Sequence, residues 1–302
     1  LTLFTYIHGV VRAGKYGGNQ YLVKIEQRIT ECKEKIESII DQIDFYEVDI
    51  RDYQKISKII ENSDGIFHQA ALTSVPESYE IPEMYYDVNV IGTENIFKLA
   101  KNYHLKVVYA SSSSVYGNVN EIPINENSQR NPLNPYGKTK LDDEILAERY
   151  ANQGTKIIGL RYFNIFGKGQ TLEYAGVITK FLDKLRDKKS PIIFGRGSQI
   201  RDFIHVEDIA KANLLAMNSK RVGNGEVINI GNSDNRSVNQ IAKMIGGPTI
   251  NVDPVVEPRE TLADNSKAKH LLGWSPSIMI EDWVKKYKKD ILCFVRNLGD
   301  VI

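Results

Sequence analysis

The chain has 302 residues, 42% of them hydrophobic and 25% charged, with 39 Lys and Arg against 38 Asp and Glu. A formal charge of +1 excludes the large basic excess needed to neutralise nucleic-acid phosphates or a lipid surface, and no apolar run reaches the ~20 residues that span a bilayer. Two cysteines, Cys32 and Cys293, and five scattered histidines exclude a disulfide scaffold and give no metal-ligand spacing. The expectation is a cytoplasmic protein of two domains, at roughly 150 residues per domain.

From residue 45, short apolar runs alternate with longer amphipathic ones. Strands are predicted at Phe45–Ile50, Gly65–Ala70, Leu105–Ser111 and Thr155–Phe163, and helices at 52–61, 83–103 and 136–153. Such alternation requires crossover helices and predicts an α/β fold with a doubly wound parallel sheet. The strands are nearly continuous in apolar residues, as in a sheet covered on both faces. Gly167, Gly169 and Gly176 then break the chain before a helix at 177–187, strands at 191–194 and 200–204, a helix at 206–219 and a strand at 226–230. Beyond residue 232 the pattern reads as loops with short helices, and Lys285, Lys286, Lys288 and Lys289 as a solvated helical face.

Ligands of such sheets bind beyond the carboxyl ends of the strands, so the residues after each strand carry the candidate chemistry. After the strand at 105 comes Ser111-Ser112-Ser113-Ser114-Val115-Tyr116-Gly117, and Asn134-Pro135-Tyr136-Gly137-Lys138-Thr139-Lys140 opens the helix at 136. Tyr136 is the only one of the 16 tyrosines with a lysine four residues on. Chance gives about one such pair, so spacing alone decides nothing. Context does more: Pro135 sets Tyr136 in the first helical turn and puts Lys140 on the same face. Leu160-Arg161-Tyr162-Phe163-Asn164 ends the next strand. Taken singly, a serine run is more often a turn, a Tyr-Phe pair core and a lone arginine a surface ion pair.

In this order the clusters resemble the extended short-chain dehydrogenase/reductase family, and within it the nucleotide-sugar 4-epimerases. Glu47-Val48-Asp49-Ile50-Arg51-Asp52 is similar to the family's adenine-contacting strand end, and His68-Gln69-Ala70-Ala71-Leu72-Thr73-Ser74-Val75-Pro76-Glu77-Ser78 to its pyrophosphate and substrate loop. Asn89-Val90-Ile91-Gly92-Thr93 resembles its central helix motif, Gln199 through Asp208 its uridine-side segment, and Leu262-Ala263-Asp264 through Lys267 its C-terminal signature. The resemblance implies a Rossmann-like NAD-binding domain over residues 1–164 and a smaller substrate domain over 165–302, from which 204–232 return to the sheet. It further implies NAD-dependent 4-epimerisation of a UDP-hexose, UDP-glucose or UDP-galactose, by a homodimer paired through the helices at 83–103 and 136–153.

Tyr136, Lys140 and Ser112 are thereby implied as catalytic residues. A free phenol, with a pKa of about 10, is a poor general base at neutral pH. A neighbouring ammonium and a positive nicotinamide ring both favour the phenolate. The implied cofactor set is Asp49, Ile50, Ala70, Ala71, Leu72, Asn89, Ser111, Tyr136, Lys140 and Phe163. The implied substrate set is Ser74, Ser112, Ser113, Tyr136, Asn164, Val177, Phe194, Arg201, Glu257 and Thr261, with no metal.

Departures from the pattern narrow the reading. Family dehydratases carry an Asp-Glu pair after the catalytic hydroxyl and the decarboxylases a glutamate; here Ser113 and Ser114 stand there, which leaves 4-epimerases, UDP-glucuronate 4-epimerases among them. Thr261 occupies the place beside the sugar C2 substituent; its small size implies that UDP-GlcNAc and UDP-GalNAc are accepted too, while simple packing is an equal reading. Arg201 is the candidate diphosphate grip, its ordinary fate being an ion pair with Asp202 or Glu207. The family's second arginine, normally in an Arg-x-Gly-acid motif, is absent where Pro254-Val255-Val256-Glu257 stands, unless Arg259 substitutes. The family's opening Gly-x-x-Gly-x-x-Gly turn, which holds pyrophosphate on backbone amides, is absent: Gly14-x-x-Gly17 lacks its third member. The expectation is that the first strand, turn and helix are missing or replaced by Leu1–Val11, as in a truncated or misassigned start. A non-catalytic family member is the competing reading.

Overall fold

In the computed structural model the described residues are 37–170, 176–255 and 257–299. The glycines at 9, 14, 17 and 18 and the segment Leu1–Val11 lie outside them, and with them the expectation about the opening strand and turn. The first described elements are a 3-10 turn, Glu37–Gln42, and helix α1, Tyr53–Ile60. The sequence places a strand at Phe45–Ile50, but no strand is formed there among the described residues. A strand exists through its ladder, and no described strand stands beside this run. What persists is its end: Ile50 is fully buried, packed where Gly92 leaves no Cβ, since a methyl there would lie 2.5 Å from Ile50 Cδ1.

Two compact units divide the chain, Leu1–Gly117 with Arg130–Arg161 and Asn213–Ile228 in one, and Asn118–Gln129 with Tyr162–Ala212 and Asn229–Ile302 in the other. The division thus falls three residues earlier than the linear split at 164, and residues 118–129 join the second unit. The first unit is framed by β1 (Gly65–His68), β2 (Lys106–Ser112), β3 (Ile157–Tyr162) and β7 (Asn224–Ile230), in the sheet order β1-β2-β3-β7. β1 and β2 are parallel, with His68 opposite Tyr109, so β1 ends level with Tyr109 while β2 runs on in the same direction to Ser112. Every residue of β3 is buried, the pattern of a strand covered on both faces.

Between β1 and β2 run α2 (Val75–Glu80), α3 (Pro82–Tyr85), a turn of π-helix at Tyr86–Ile91 and α4 (Gly92–Tyr103). The sequence predicts a single helix over 83–103; the wide π turn interrupts it. α5, Pro135–Ala151, precedes β3. The first core joins Ile56 and Ile60 of α1, Ile96 and Phe97 of α4, Val107 of β2 and Ala147 of α5.

In the second unit β4 (Asn164–Phe166) pairs in parallel with β6 (Ile200–His205), which pairs antiparallel with β8 (Asn235–Ser237); β5 (Ile192–Phe194) pairs in parallel with β9 (Ile250–Val252). Its core joins Ile178, Phe181 and Leu182 of α6 (Val177–Arg186), Val238, Ile241 and Ile245 of α8 (Val238–Ile245), and Ile280 and Val284 of α10 (Ile280–Gly299). Helix α7, Val206–Asn218, precedes β7, and α9, Ser266–Leu272, precedes α10. The 20-residue α10 corrects the expectation of only short helices beyond 232. Ile280, Trp283, Val284 and Tyr287 form an i, i+3, i+4, i+7 stripe, masked in the sequence by the four lysines between and beyond them. No described helix is long and apolar enough to cross a membrane.

Candidate active site

The serine run ends β2 and folds into a 3-10 turn, Ser113–Val115. Ser112 caps it: the Ser112 hydroxyl oxygen accepts from Ser114 N–H at 3.1 Å and lies 3.1 Å from Ser114 Oγ. Helix α5 starts where Pro135 presets φ and Asn134 Oδ1 accepts from Gly137 N–H at 2.8 Å. Tyr136 is therefore in the first turn, half-buried, and its hydroxyl makes no hydrogen bond to a described residue. The helix start and the serine turn meet at Gly137, where a Cβ would lie 2.8 Å from Ser114 O.

One turn further on, Lys140 is buried. Its Nζ donates to Ala110 O at 3.1 Å and to Asp143 Oδ2 at 3.2 Å. An ammonium has three donors, so one N–H remains. Burial pushes the Asp143 carboxyl up to about 7, against the pull of the Lys140 charge. Nearby, His68 Nε2 and Thr93 Oγ1 are 2.7 Å apart, and burial, helped by the Lys140 charge, holds the His68 ring down at about 3. The imidazole is neutral at physiological pH.

A second buried group anchors the strand ends. Glu144 accepts from Arg161 at both oxygens, 2.8 Å each, from Ser111 Oγ at 2.6 Å and from Arg130 at 3.2 Å; Arg161 also donates to Tyr116 Oη at 2.6 Å. The hydroxyl of Ser111, expected at the cofactor, is thus committed to Glu144. Asn89 is likewise fully buried: it accepts from Leu72 N–H at 2.8 Å and donates to Leu72 O and Thr139 Oγ1, both at 3.0 Å. It fixes the Ala70–Leu72 loop to the π turn and α5 rather than presenting its amide outward. Asp49 is chelated by Arg51 at 3.0 Å and 3.1 Å through Nε, and the Ile50 carbonyl accepts from Asn95 at 3.2 Å. Ser74 caps α2, and its carbonyl accepts from Tyr85 Oη at 2.7 Å.

In the second unit, Phe163 is buried, Val177 opens α6, Asn164 is exposed at the start of β4, and Phe194 is exposed at the end of β5. Arg201 and Glu257 are brought together as an ion pair, and Arg201 donates to Ile200 O at 2.7 Å. Its carboxylate partner is therefore Glu257, not Asp202 or Glu207. Asp202 instead gathers backbone N–H groups of Asn232 at 2.6 Å and of Ser233 and Ala263 at 3.0 Å, and burial still raises its carboxyl to about 6. Thr261 is buried with Oγ1 accepting from Asp202 N–H at 3.2 Å.

The sequence reading passes over Asp143 and Glu144. Their signal is spacing: Tyr136, Lys140, Asp143 and Glu144 share one helical face, and acids on a face turned to the core need a buried partner.

Residues 10–231 match the model of the NAD dependent epimerase/dehydratase family. A Methanocaldococcus jannaschii protein provisionally named a UDP-glucose 4-epimerase is 37% identical over 279 residues, 89% of this chain and 90% of that one. The solved Thermotoga maritima UDP-glucose 4-epimerase with UDP-glucose is similar at a TM-score of 0.79 and 31% identity, covering 87% of this chain and 88% of that one. The Bacillus cereus UDP-glucuronic acid 4-epimerase with UDP-glucuronic acid and NAD gives a TM-score of 0.79 at 29% identity, covering 88% and 87%.

Proposed function

Since the chain belongs to the NAD dependent epimerase/dehydratase family, we propose that it epimerises UDP-hexoses at C4 through a 4-keto sugar, with NAD as cofactor. The observation that carries this reading is Lys140: a buried ammonium 3.1 Å from the carbonyl preceding Ser111, one helical turn from Tyr136. The residues present fit a dinucleotide, because Lys140 keeps one N–H beyond its bonds to Ala110 and Asp143 and the carboxyl ends of β1 and β2 point in the same direction. Bound there, NAD would supply the hydride acceptor and donor for the sugar C4.

Tyr136 removes the proton of the sugar 4-hydroxyl and later restores it. The Lys140 charge favours the phenolate, and its remaining N–H is offered to the nicotinamide ribose. Ser112 and Ser113 hydrogen-bond the sugar, with Ser74 beside them. Asp49, Ile50 and the Ala70–Leu72 loop that Asn89 fixes serve the dinucleotide with Phe163. Asn164, Val177, Phe194, Arg201, Glu257 and Thr261 serve the nucleotide sugar. UDP-glucose and UDP-galactose are the principal substrates, and the small Thr261 admits their N-acetylated forms. UDP-glucuronate is the second reading, favoured by a UDP-glucuronate 4-epimerase of Thermodesulfobacterium geofontis at 34% identity. The protein works in the cytoplasm as a homodimer paired through α4 and α5, a reading supported by exposed Tyr86, Ile91 and Ile145 on the π turn and α5.

The test is a purified chain, denatured and assayed for released NAD, and its Tyr136→Phe variant assayed with UDP-galactose. The wild type is expected to release or bind NAD, and the variant to fold, bind UDP-sugar and lose turnover by about a thousandfold. Near-normal turnover by Tyr136→Phe overturns the assignment. A wild type that neither releases nor binds NAD favours a non-catalytic family member.

A further inference from the structure

Asp143 is a buried carboxylate that the reaction above does not use. It lies one turn beyond Lys140 on the same helix, 1% exposed at its side chain, with Oδ2 3.2 Å from the ammonium. Its Oδ1 makes no hydrogen bond. The Thr93 hydroxyl, 2.7 Å from His68 Nε2, faces it from α4, and burial, the larger effect on the carboxyl, outweighs the downward pull of hydrogen bonding from Lys140 and Thr93. Its charged and titratable surroundings are Lys140, Asp142 and Glu144 on its own helix, His68 behind Thr93 on β1, and Tyr109 on β2. An acid this deep with one oxygen unsatisfied carries a desolvation cost that pairing only in part offsets.

We propose that Asp143 is a positioning residue for Lys140, holding the ammonium against the Ala110 carbonyl and setting, through its own charge, how much of the ammonium's charge reaches Tyr136. This rests on the reading of Tyr136 and Lys140 as the reacting pair. As a carboxylate, Asp143 makes the Lys140 pair neutral overall and opposes phenolate formation. As a neutral acid it leaves the ammonium uncompensated. With its carboxyl raised to about 7, both forms are present near neutrality, so the Lys140 charge felt by Tyr136 and by the nicotinamide ribose changes with pH.

The test compares wild type, Asp143→Asn and Asp143→Ala, with NAD affinity titrated by protein fluorescence and kcat measured from about pH 5.5 to 9. Asp143→Asn keeps a hydrogen-bond acceptor for Lys140 without the charge. The acid limb of its kcat profile is expected to move to lower pH by about half a unit or more, and its NAD affinity to lose the inflection near pH 7 shown by the wild type. Asp143→Ala is expected to shift the limb in the same direction and to lose about tenfold in kcat, because the ammonium is no longer held. Should either variant unfold, the other supplies the profile. Should both, the wild-type NAD titration decides alone, and a flat curve through neutrality overturns the proposal. An unmoved limb in a folded Asp143→Asn also overturns it. If Tyr136→Phe is inactive while the Asp143 variants keep the wild-type profile, the assignment of the reacting pair stands and only the role of Asp143 falls.

Discussion

A methyl group at position 137 would meet the Ser114 carbonyl oxygen at 2.8 Å and Pro132 Cβ at 3.0 Å. In an ordinary helical turn, Gly→Ala stabilises by up to about 1 kcal/mol. Here the neighbour is backbone, and it cannot swing aside without moving the turn that Ser112 caps. Gly137→Ala is expected to lower stability by about 1–3 kcal/mol and to reduce kcat about tenfold, since the serine hydroxyls shift relative to Tyr136. Denaturant unfolding and kcat with UDP-galactose check it; a more stable variant with full turnover sinks it. At this scale the sequence is informative about identities and silent about commitments. Tyr136, Lys140 and Ser112, the proposed reacting residues, are picked out by their order along the chain. That the Ser111 hydroxyl belongs to Glu144 and the Arg201 guanidinium to Glu257 depends on partners 33 and 56 residues away.

Local patterns predict the elements well where apolar runs are bounded by turn residues: β2, β3, α1 and α5 lie within two residues of their expected limits. The π turn at Tyr86–Ile91 is not legible, because its residue types suit an α-helix equally. Its placement goes with tertiary bonds, those of Asn89 to Leu72 and Thr139 on two other segments. The same bonds tie three elements together. Asn89→Ala leaves the Leu72 N–H and C=O without these partners, and is expected to cost about 2–3 kcal/mol and to weaken NAD binding severalfold by loosening the loop at Ala70–Leu72. Asn89→Asp keeps an acceptor for Leu72 N–H but sets a buried carboxylate against the Leu72 carbonyl, so it should cost at least as much as Asn89→Ala. Equilibrium unfolding and NAD titration check the order; an Asn89→Ala protein as stable as wild type, with unchanged NAD affinity, removes Asn89 from this role. For β4, β8 and β9, three residues each, the sequence carries too few positions for a period to emerge.

Across the whole molecule, the buried titratable groups pull stability in opposite directions with pH. Asp143, at about 7, and Asp202, at about 6, bind protons more readily folded than unfolded. Their contributions are therefore complete below the ordinary carboxyl value of 3.8 and are lost as pH rises through 6 to 7. His68 behaves the other way: held at about 3 by burial and by Lys140, it contributes stability above its ordinary 6.5 and loses it as pH falls towards 3. Between these limits acidification strengthens the two acid sites and weakens the histidine site, so the wild type's dependence on pH is partly cancelled. His68→Gln keeps a hydrogen-bonding group for Thr93 and removes the titration. Relative to wild type, the variant is expected to gain about 1.4 kcal/mol for each pH unit below 6.5, measured by urea unfolding at several pH values down to about 4.5. The quantity to follow is the difference between the two proteins, which isolates His68 from every other acid and base in the chain. Parallel curves over that interval would mean that His68 takes up its proton in the folded protein as readily as in the unfolded one, and that the neutral ring beside Thr93 is not a fixed part of the structure near Lys140.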